Sequence, residues 1–368
     1  MDDADALFSL AGVAVLEKDK NQDLLFAWAY PLRGTIEEPE LQSVILERSQ
    51  LRNAELSAAS FLWSKYKSTW LHSYVLPLLS EEGAATSLAP SLSGLSAFAI
   101  VLLSKDYNPE KYEALSKLMA KVYAQEGSPI KLLEAYLSVF ARGRAKLGDY
   151  GIFTSAEYDA RKAFLITPIK DIINLFGPES VLIWSALLMK KRIVVYSEHA
   201  DLLLKIIRAL PLFVWHRRDW NIIRPFVNLD SEQQMEELRA SGVYIAGFTD
   251  PSIKLKQSYF DLLVDANART VTYADHAASD FKVGSLHKEV AMYLVKAAED
   301  PDVNNQTVIK ELGMRTRDLL SKLAQLKVED EDGGSYITLE SLPNSPMSAF
   351  LYAVAGAENL TKNTAAAQ

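Results

Sequence analysis

The sequence predicts an α/β protein built as two lobes with a helical tail, and three observations carry that reading. Residues 1–142 run as five apolar, strand-length segments around one early helix and close with two late helices. Residues 160–280 then alternate helix with short β-branched strand, the pattern of a sheet covered by helices. Between them, residues 143–159 hold Gly143, Gly148 and Gly151 with weak periodicity, so this stretch reads as an interlobe linker. Residues 281–362 make the helical tail.

In the first lobe, residues 7–17 and 24–30 are apolar runs joined by the turn-prone Lys18-Asp19-Lys20-Asn21, which predicts a hairpin. Leu41, Val44, Ile45, Arg48, Leu51 and Leu56 recur at roughly helical spacing after Pro39. Residues 61–67 and 69–76 are aromatic-rich and strand-length. Residues 80–93, rich in Ser, Ala and Gly, read as a mobile loop, and residues 97–103 as a central strand buried on both faces. Asn108 is placed to cap a helix that Pro109 starts and Gly127 ends, with Tyr112, Leu115, Met119, Val122 and Tyr123 as its apolar stripe. Ser128-Pro129 opens the next helix, with Leu132, Leu133, Tyr136, Leu137 and Phe140 expected to face inward.

In the second lobe, helices are expected at 169–176 and 179–190, restarting at Gly177-Pro178, and then a strand at 192–196. A helix at 200–213, a strand at 222–227, a helix at 232–240 and a strand at 243–248 follow. Residues 259–265 and 270–273 read as a hairpin. The tail has helices at 286–298, 308–326 and 348–360, with a short strand at 336–339.

Composition narrows the function. Hydrophobic residues at 49% and charged residues at 23% are ordinary for a globular chain. A net charge of −8, with no run of Lys and Arg beyond three, argues against nucleic acid as a partner. The lack of cysteine excludes disulfide scaffolds, thiolate metal sites and cysteine nucleophiles. The start, MDDADALFSLAGVAVLEKDK, is acidic where a signal peptide needs positive charge. The densest apolar run, 181–189, is shorter than the ~20 residues that span a bilayer. A cytoplasmic chain without a transmembrane segment is therefore expected, and the sequons at Asn305 and Asn359 read as chance matches.

Enzyme motifs are missing as well. There is no G-x-x-x-x-G-K-[ST] loop, no G-x-G-x-x-G after a strand and no G-x-S-x-G elbow, so no cofactor and no catalytic residue is expected. His72, His199, His216, His276 and His287 show no H-E-x-x-H spacing, so no metal site is expected. His287-Lys288-Glu289 reads as the solvated first turn of a helix. An EF-type loop from Glu329 to Glu340 would put Gly333 where a ligand is needed, so the acidic run before it reads as an exposed turn.

The informative stretch spans residues 183–248. Lys190, Lys191 and Arg192 sit where an apolar helix ends, and cations there complement the helix dipole. Trp215-His216-Arg217-Arg218-Asp219-Trp220 sets flat aromatic surface beside guanidinium groups, residue types enriched at interface hot spots. Read singly, the same tryptophans could fill a core and the same arginines solvate a loop.

In order and spacing, LLMKKRIVVYS, ALPLFVW and GVYIAGF resemble the core of the DENN-domain family, and SYFDLLVDANARTVTY resembles its downstream segment. KDYNPEKY, GSPIKLLEAY, DARKAFL, VWHRRDW, GSLHKE and AEDP are similar to one compact, single-module branch, so the resemblance spans nearly the whole chain. Ile223-Arg224-Pro225-Phe226 and Ser241-Gly242 depart from the prolines the family often carries there. The resemblance implies a two-lobed DENN architecture: a longin-like lobe at 1–142, the linker at 143–159, a core DENN lobe at 160–280 and a downstream helical part at 281–362. It implies a regulator of Rab GTPases that acts as a guanine-nucleotide exchange factor, cytoplasmic and peripheral to late endosomes, recruited to membranes through partners. The alternative it leaves is a non-catalytic adaptor in an endosomal recycling complex, docking a coiled-coil partner. Its GTPase contacts are expected at Lys191, Arg192, Tyr196, Trp215, His216, Arg217, Arg218 and Trp220, with Trp28 and Tyr30 from the first lobe.

Overall fold

The structure is a computed structural model that describes residues 9–31, 38–49, 51, 58–78, 88–158, 167–329, 335–343, 345 and 347–362. It is a mixed α/β protein whose chain divides into two compact units, Met1–Ala163 and Phe164–Gln368. The expectations for Leu7, Leu56, most of the 80–93 loop, the segment 159–165 and the acidic turn after Glu329 fall outside the described residues.

The first unit is an antiparallel sheet of β1 (Leu10–Asp19), β2 (Leu24–Tyr30), β3 (Ser60–Tyr66), β4 (Thr69–Pro77) and β5 (Leu95–Ser104), in the order β2-β1-β5-β4-β3. Alternation along the central strand sends Ala97, Ala99, Val101 and Leu103 to one core, with Val44 and Ile45 of α1 (Glu38–Arg48) and with Leu51. Phe98, Ile100 and Leu102 point the other way, under α2 (Pro109–Glu126) and α3 (Ile130–Arg142). A slip of one residue would exchange the two faces, so two cores fix one register. Asn108 caps α2 by accepting from the Lys111 N–H, and Gly127 ends it with φ 60°.

Two local expectations change. Leu137 is exposed and Leu133 and Phe140 are only half-buried, because the sheet takes Leu132, Ala135, Tyr136 and Val139. The apolar arc of α3 is wider than the face the sheet can cover. The stretch 143–159 carries a hairpin, β6 (Arg144–Lys146) with β7 (Ile152–Thr154), whose Ala145 and Phe153 join the core beneath α2 together with Leu147. Arms of three residues are too short to show a period in the sequence.

The second unit opens with α4 (Ile169–Phe176) and α5 (Ser180–Leu188), followed by β8 (Ile193–Tyr196), α6 (Ala200–Ala209), β9 (Ile223–Arg224), α7 (Glu232–Ala240) and β10 (Ile245–Phe248). The hairpin β11 (Leu262–Asp265) and β12 (Thr270–Tyr273) completes a sheet of order β12-β11-β8-β10-β9, parallel except for β12. Then come α8 (Ser285–Glu299), α9 (Asn305–Ala324), a short pairing of β13 (Val328–Glu329) with β14 (Ser335–Tyr336), and α10 (Ser348–Ala357). The expected strand 222–227 shrinks to two paired residues at Pro225, which has no N–H to give the ladder. Gly247 lies so close behind it that a Cβ would stand 2.1 Å from the Pro225 carbonyl oxygen.

Ile169–Leu188 is long and apolar enough, by length and composition, to cross a membrane. In the fold Gly177-Pro178 breaks it into two helices, and Ile172, Ile173, Trp184 and Leu188 are buried. Trp184 donates to the Thr316 hydroxyl at 3.1 Å and lies near His287 and Phe350, so one indole ties α5 to α8, α9 and α10. His287 is therefore a core residue, 2% exposed, and burial pushes its imidazole toward the neutral form.

Candidate partner-binding surface

Most of the residues singled out by sequence lie at the two ends of α5 and β8. The helix closes with a double backbone turn: Lys191 N–H bonds the Ala186 carbonyl at 2.9 Å and Lys190 N–H the Leu187 carbonyl at 3.2 Å. Lys190 takes the left-handed conformation this motif needs, φ 54°. The cations after the helix thus serve it with backbone, and their side chains turn elsewhere. Lys191 pairs with Asp280, and Arg192 grips Asp261 with Nη2 at 2.8 Å and Nε at 3.2 Å while Nη1 reaches the Ser258 carbonyl at 2.7 Å. His276 adds a bond to Asp261 at 3.0 Å. Burial alone would raise the Asp261 carboxyl, but these bonds, Arg192 foremost, hold it at about 2.

The dipole role expected of Lys190–Arg192 falls to Arg217. Its guanidinium donates to the Leu187 carbonyl and, at 2.6 Å, to the Leu188 carbonyl at the end of α5. Its Nε meets the Glu358 carboxylate at 2.8 Å, and His216 Nε2 meets the same oxygen at 3.2 Å. The His216 hydrogen bond first, then the Arg217 guanidinium, hold Glu358 at about 2 against its burial. Trp215 packs beside Gly313 of α9, so the loop is anchored from behind.

What the loop leaves outward is Arg218, exposed at φ 49°, with its guanidinium 4.6 Å over the Trp215 ring. Asp219 is exposed beside it and Trp220 is half-buried. Lys190, also exposed, is the other cation here outside any salt bridge among the described residues. Tyr196 is 1% exposed: its ring is core, its hydroxyl donates to Glu198 at 3.1 Å, and burial raises the phenol to about 12. A side chain so enclosed has no surface for a partner. Trp28 and Tyr30 belong to β2 of the first unit.

Comparison with known proteins bears on this surface. A family model described as "SPA: Stabilization of polarity axis" matches residues 166–275, which hold β8 to β12 and the whole tryptophan–arginine loop. The chain is 45% identical to DENN domain-containing protein 10 of Dictyostelium discoideum, over 95% of this chain and 97% of that protein. It is 35% identical to the protein of that name from Danio rerio, over 96% and 98%, and 33% identical to the Homo sapiens protein, over 96% and 97%. The chain belongs to the DENN domain-containing protein 10 family. Asp261, Asp280 and Glu358, which hold four of the basic residues expected at the surface of this DENN-family chain, carry no signal in the sequence. They stand 69, 89 and 141 residues from Arg192, Lys191 and Arg217, and no local pattern marks such pairs.

Proposed function

We propose that this chain regulates a Rab GTPase as a guanine-nucleotide exchange factor in late-endosomal trafficking, brought to the membrane by protein partners. In this reading Met1–Ala163 serves as a longin-like lobe and Phe164–Gln368 as a DENN lobe with a helical tail. The observation that supports it, within a DENN family, is the exposed Arg218 stacked on a rigidly backed Trp215. Exchange needs no acid, base or nucleophile: a surface that favours the GTPase with displaced switch regions weakens its hold on GDP. A loop already fixed by Arg217 and Glu358 loses little freedom on binding. The contact set narrows accordingly to Arg218, Asp219, Trp220 and Lys190, with Lys191, Arg192, His216 and Arg217 as the residues that position them. The test is binding of Arg218→Glu to a GTPase in its nucleotide-free and GDP-bound forms. The expected result is wild-type preference for the nucleotide-free form and a loss of about ten-fold or more in the variant. Equal wild-type affinity for both forms would sink the exchange reading, because only differential binding shifts an equilibrium.

The second reading is a non-catalytic adaptor of an endosomal recycling complex. It draws support from a groove of about 380 Å³ between α8, α9 and α10, lined by Leu286, Val290, Leu319, Leu323, Met347 and Leu351. Such a groove suits the apolar face of one helix, as a coiled-coil partner would present. A stoichiometric complex that survives purification, with GTPase binding absent, would mark the adaptor.

A further inference from the structure

His216 and Arg217, which hold the tryptophan–arginine loop, both end on one oxygen, Glu358 Oε1, and that oxygen belongs to the last helix rather than to the sheet. Backbone fixes Glu358 in turn. Asn359 takes the left-handed conformation, φ 56°, that lets the Leu360 N–H close α10 on the Ala355 carbonyl at 2.8 Å. The Leu360 carbonyl then accepts from the Ile337 N–H at 2.8 Å, and Ile337 is buried. About 12 Å back along the helix, Phe350 packs against His287 at 4.5 Å and Trp184 at 6.2 Å. Met347, just before α10, lies on Gly284 so closely that a Cβ there would collide with its Cγ and Sδ. Gly284 is itself held at the start of α8, where its N–H donates to His287 Nδ1 at 3.2 Å. Trp184 stands one turn before Leu188, whose carbonyl Arg217 binds. α10, α5 and the loop thus close a ring, with Phe350 and Trp184 on one side and Glu358 and Arg217 on the other.

We propose that α10 is a strap that couples the start of α8 to the GTPase-contact loop, with Glu358 as the positioning residue at its far end. The inference rests on the GTPase reading for what the loop meets, but not for how the loop is held. The strap has two states. Seated, it presents Glu358 to His216 and Arg217, and the Trp215–Arg218 stack stands ready. Lifted, it takes away their shared acceptor; Arg217 keeps the α5 carbonyls, and the stack has to be ordered anew on binding, which costs affinity. A helix holds its length, so a displacement at Met347 is carried to Glu358. Met347 and Leu351 also wall the groove of the adaptor reading. The element that bounds that groove is therefore the one the exchange reading needs seated.

Fluorine NMR of the full chain labelled with fluorotryptophan tests this. The chain has six tryptophans, and Trp215→Phe assigns the line from the loop. Glu358→Gln should shift or broaden that line, and Gly284→Ala, a wedge under Met347, should move it in the same direction. Because both changes act through one strap, the wedge should add nothing in the double variant. Leu238→Ala, which weakens the same unit at α7, should leave the line in place. Affinity for a nucleotide-free GTPase should fall about five-fold in Glu358→Gln, through faster dissociation, and by less in Gly284→Ala, with the double variant matching Glu358→Gln. A Trp215 line that either single variant leaves unmoved overturns the strap, as do additive effects in the double variant or a Leu238→Ala that moves the line as far. A moved line with unchanged affinity overturns the positioning role. If the wild-type chain binds no GTPase, the exchange reading fails, and the NMR cycle by itself still decides the strap.

Discussion

Arg217→Ala tests how the tryptophan–arginine loop is held. The Leu187 carbonyl keeps its backbone partner, the Lys190 N–H, but the Leu188 carbonyl loses the Arg217 bond at 2.6 Å. Leaving a mostly enclosed carbonyl unsatisfied costs about 1–2 kcal/mol. Glu358, 22% exposed, also loses its guanidinium, and a charge-assisted bond of this kind is worth about 1.5–3 kcal/mol. The expected loss is thus about 3–4 kcal/mol, against about 0.5 kcal/mol for an arginine that merely solvates a loop. For a unit of this size each kcal/mol moves the midpoint by about 2–4 °C, so thermal unfolding should fall by about 10 °C. Urea unfolding followed by the emission of the six tryptophans, three in each unit, should show the change, while Arg218→Ala stays near wild type. A double-mutant cycle with Glu358→Gln should return a coupling of about 1.5–3 kcal/mol. A shift under about 2 °C, or one no larger than that of Arg218→Ala, would refute the clamp.

Three further outcomes are expected. Asp261→Asn removes the charge and one of the two oxygens that hold Arg192 and should lower stability by about 2–4 kcal/mol in urea, and Arg192→Lys, which keeps the charge but cannot reproduce the fork, should lose a comparable amount. Gly247→Ala drives a Cβ to 2.1 Å from the Pro225 carbonyl oxygen and 2.5 Å from Ile207 Cδ1, so it should cost about 3 kcal/mol or more, and a neutral result would contradict the close approach of β10 to the chain after β9. The Asp261 and Glu358 carboxyls both lie at about 2, below their ordinary values of 3.8 and 4.5, so the unfolded chain binds more protons as pH falls. Their stabilisation, about 2–3 kcal/mol each, is complete above about pH 5 and drains away toward pH 2. Urea midpoints between pH 6 and pH 3 should show that slope, and Glu358→Gln should remove about half of it, leaving the part due to Asp261.

Features with short-range causes could be read from the sequence. The cap at Asn108, the stop at Gly127 and the two-faced alternation of β5 follow from local chemistry and appear where expected. Features with long-range causes could not. His287 looked solvated beside Lys288 and Glu289 because Phe350, which covers it, lies on a helix near the end of the chain. The cations of the candidate surface looked free because Asp261, Asp280 and Glu358 reach them only after folding. Leu133, Leu137 and Phe140 looked like core because sequence reports an apolar arc, not which part of it a sheet can cover. In each case the residue type was right and the neighbour was missing.

Release of fluorescent GDP across a full panel of purified Rab GTPases tests the central claim most directly. At micromolar chain, release from at least one GTPase should accelerate by about ten-fold or more. Arg218→Glu should bring that rate back to within about two-fold of the intrinsic one, and Tyr196→Phe, a change inside the core, should leave it accelerated. No acceleration anywhere in the panel, or full activity in Arg218→Glu, would contradict the account.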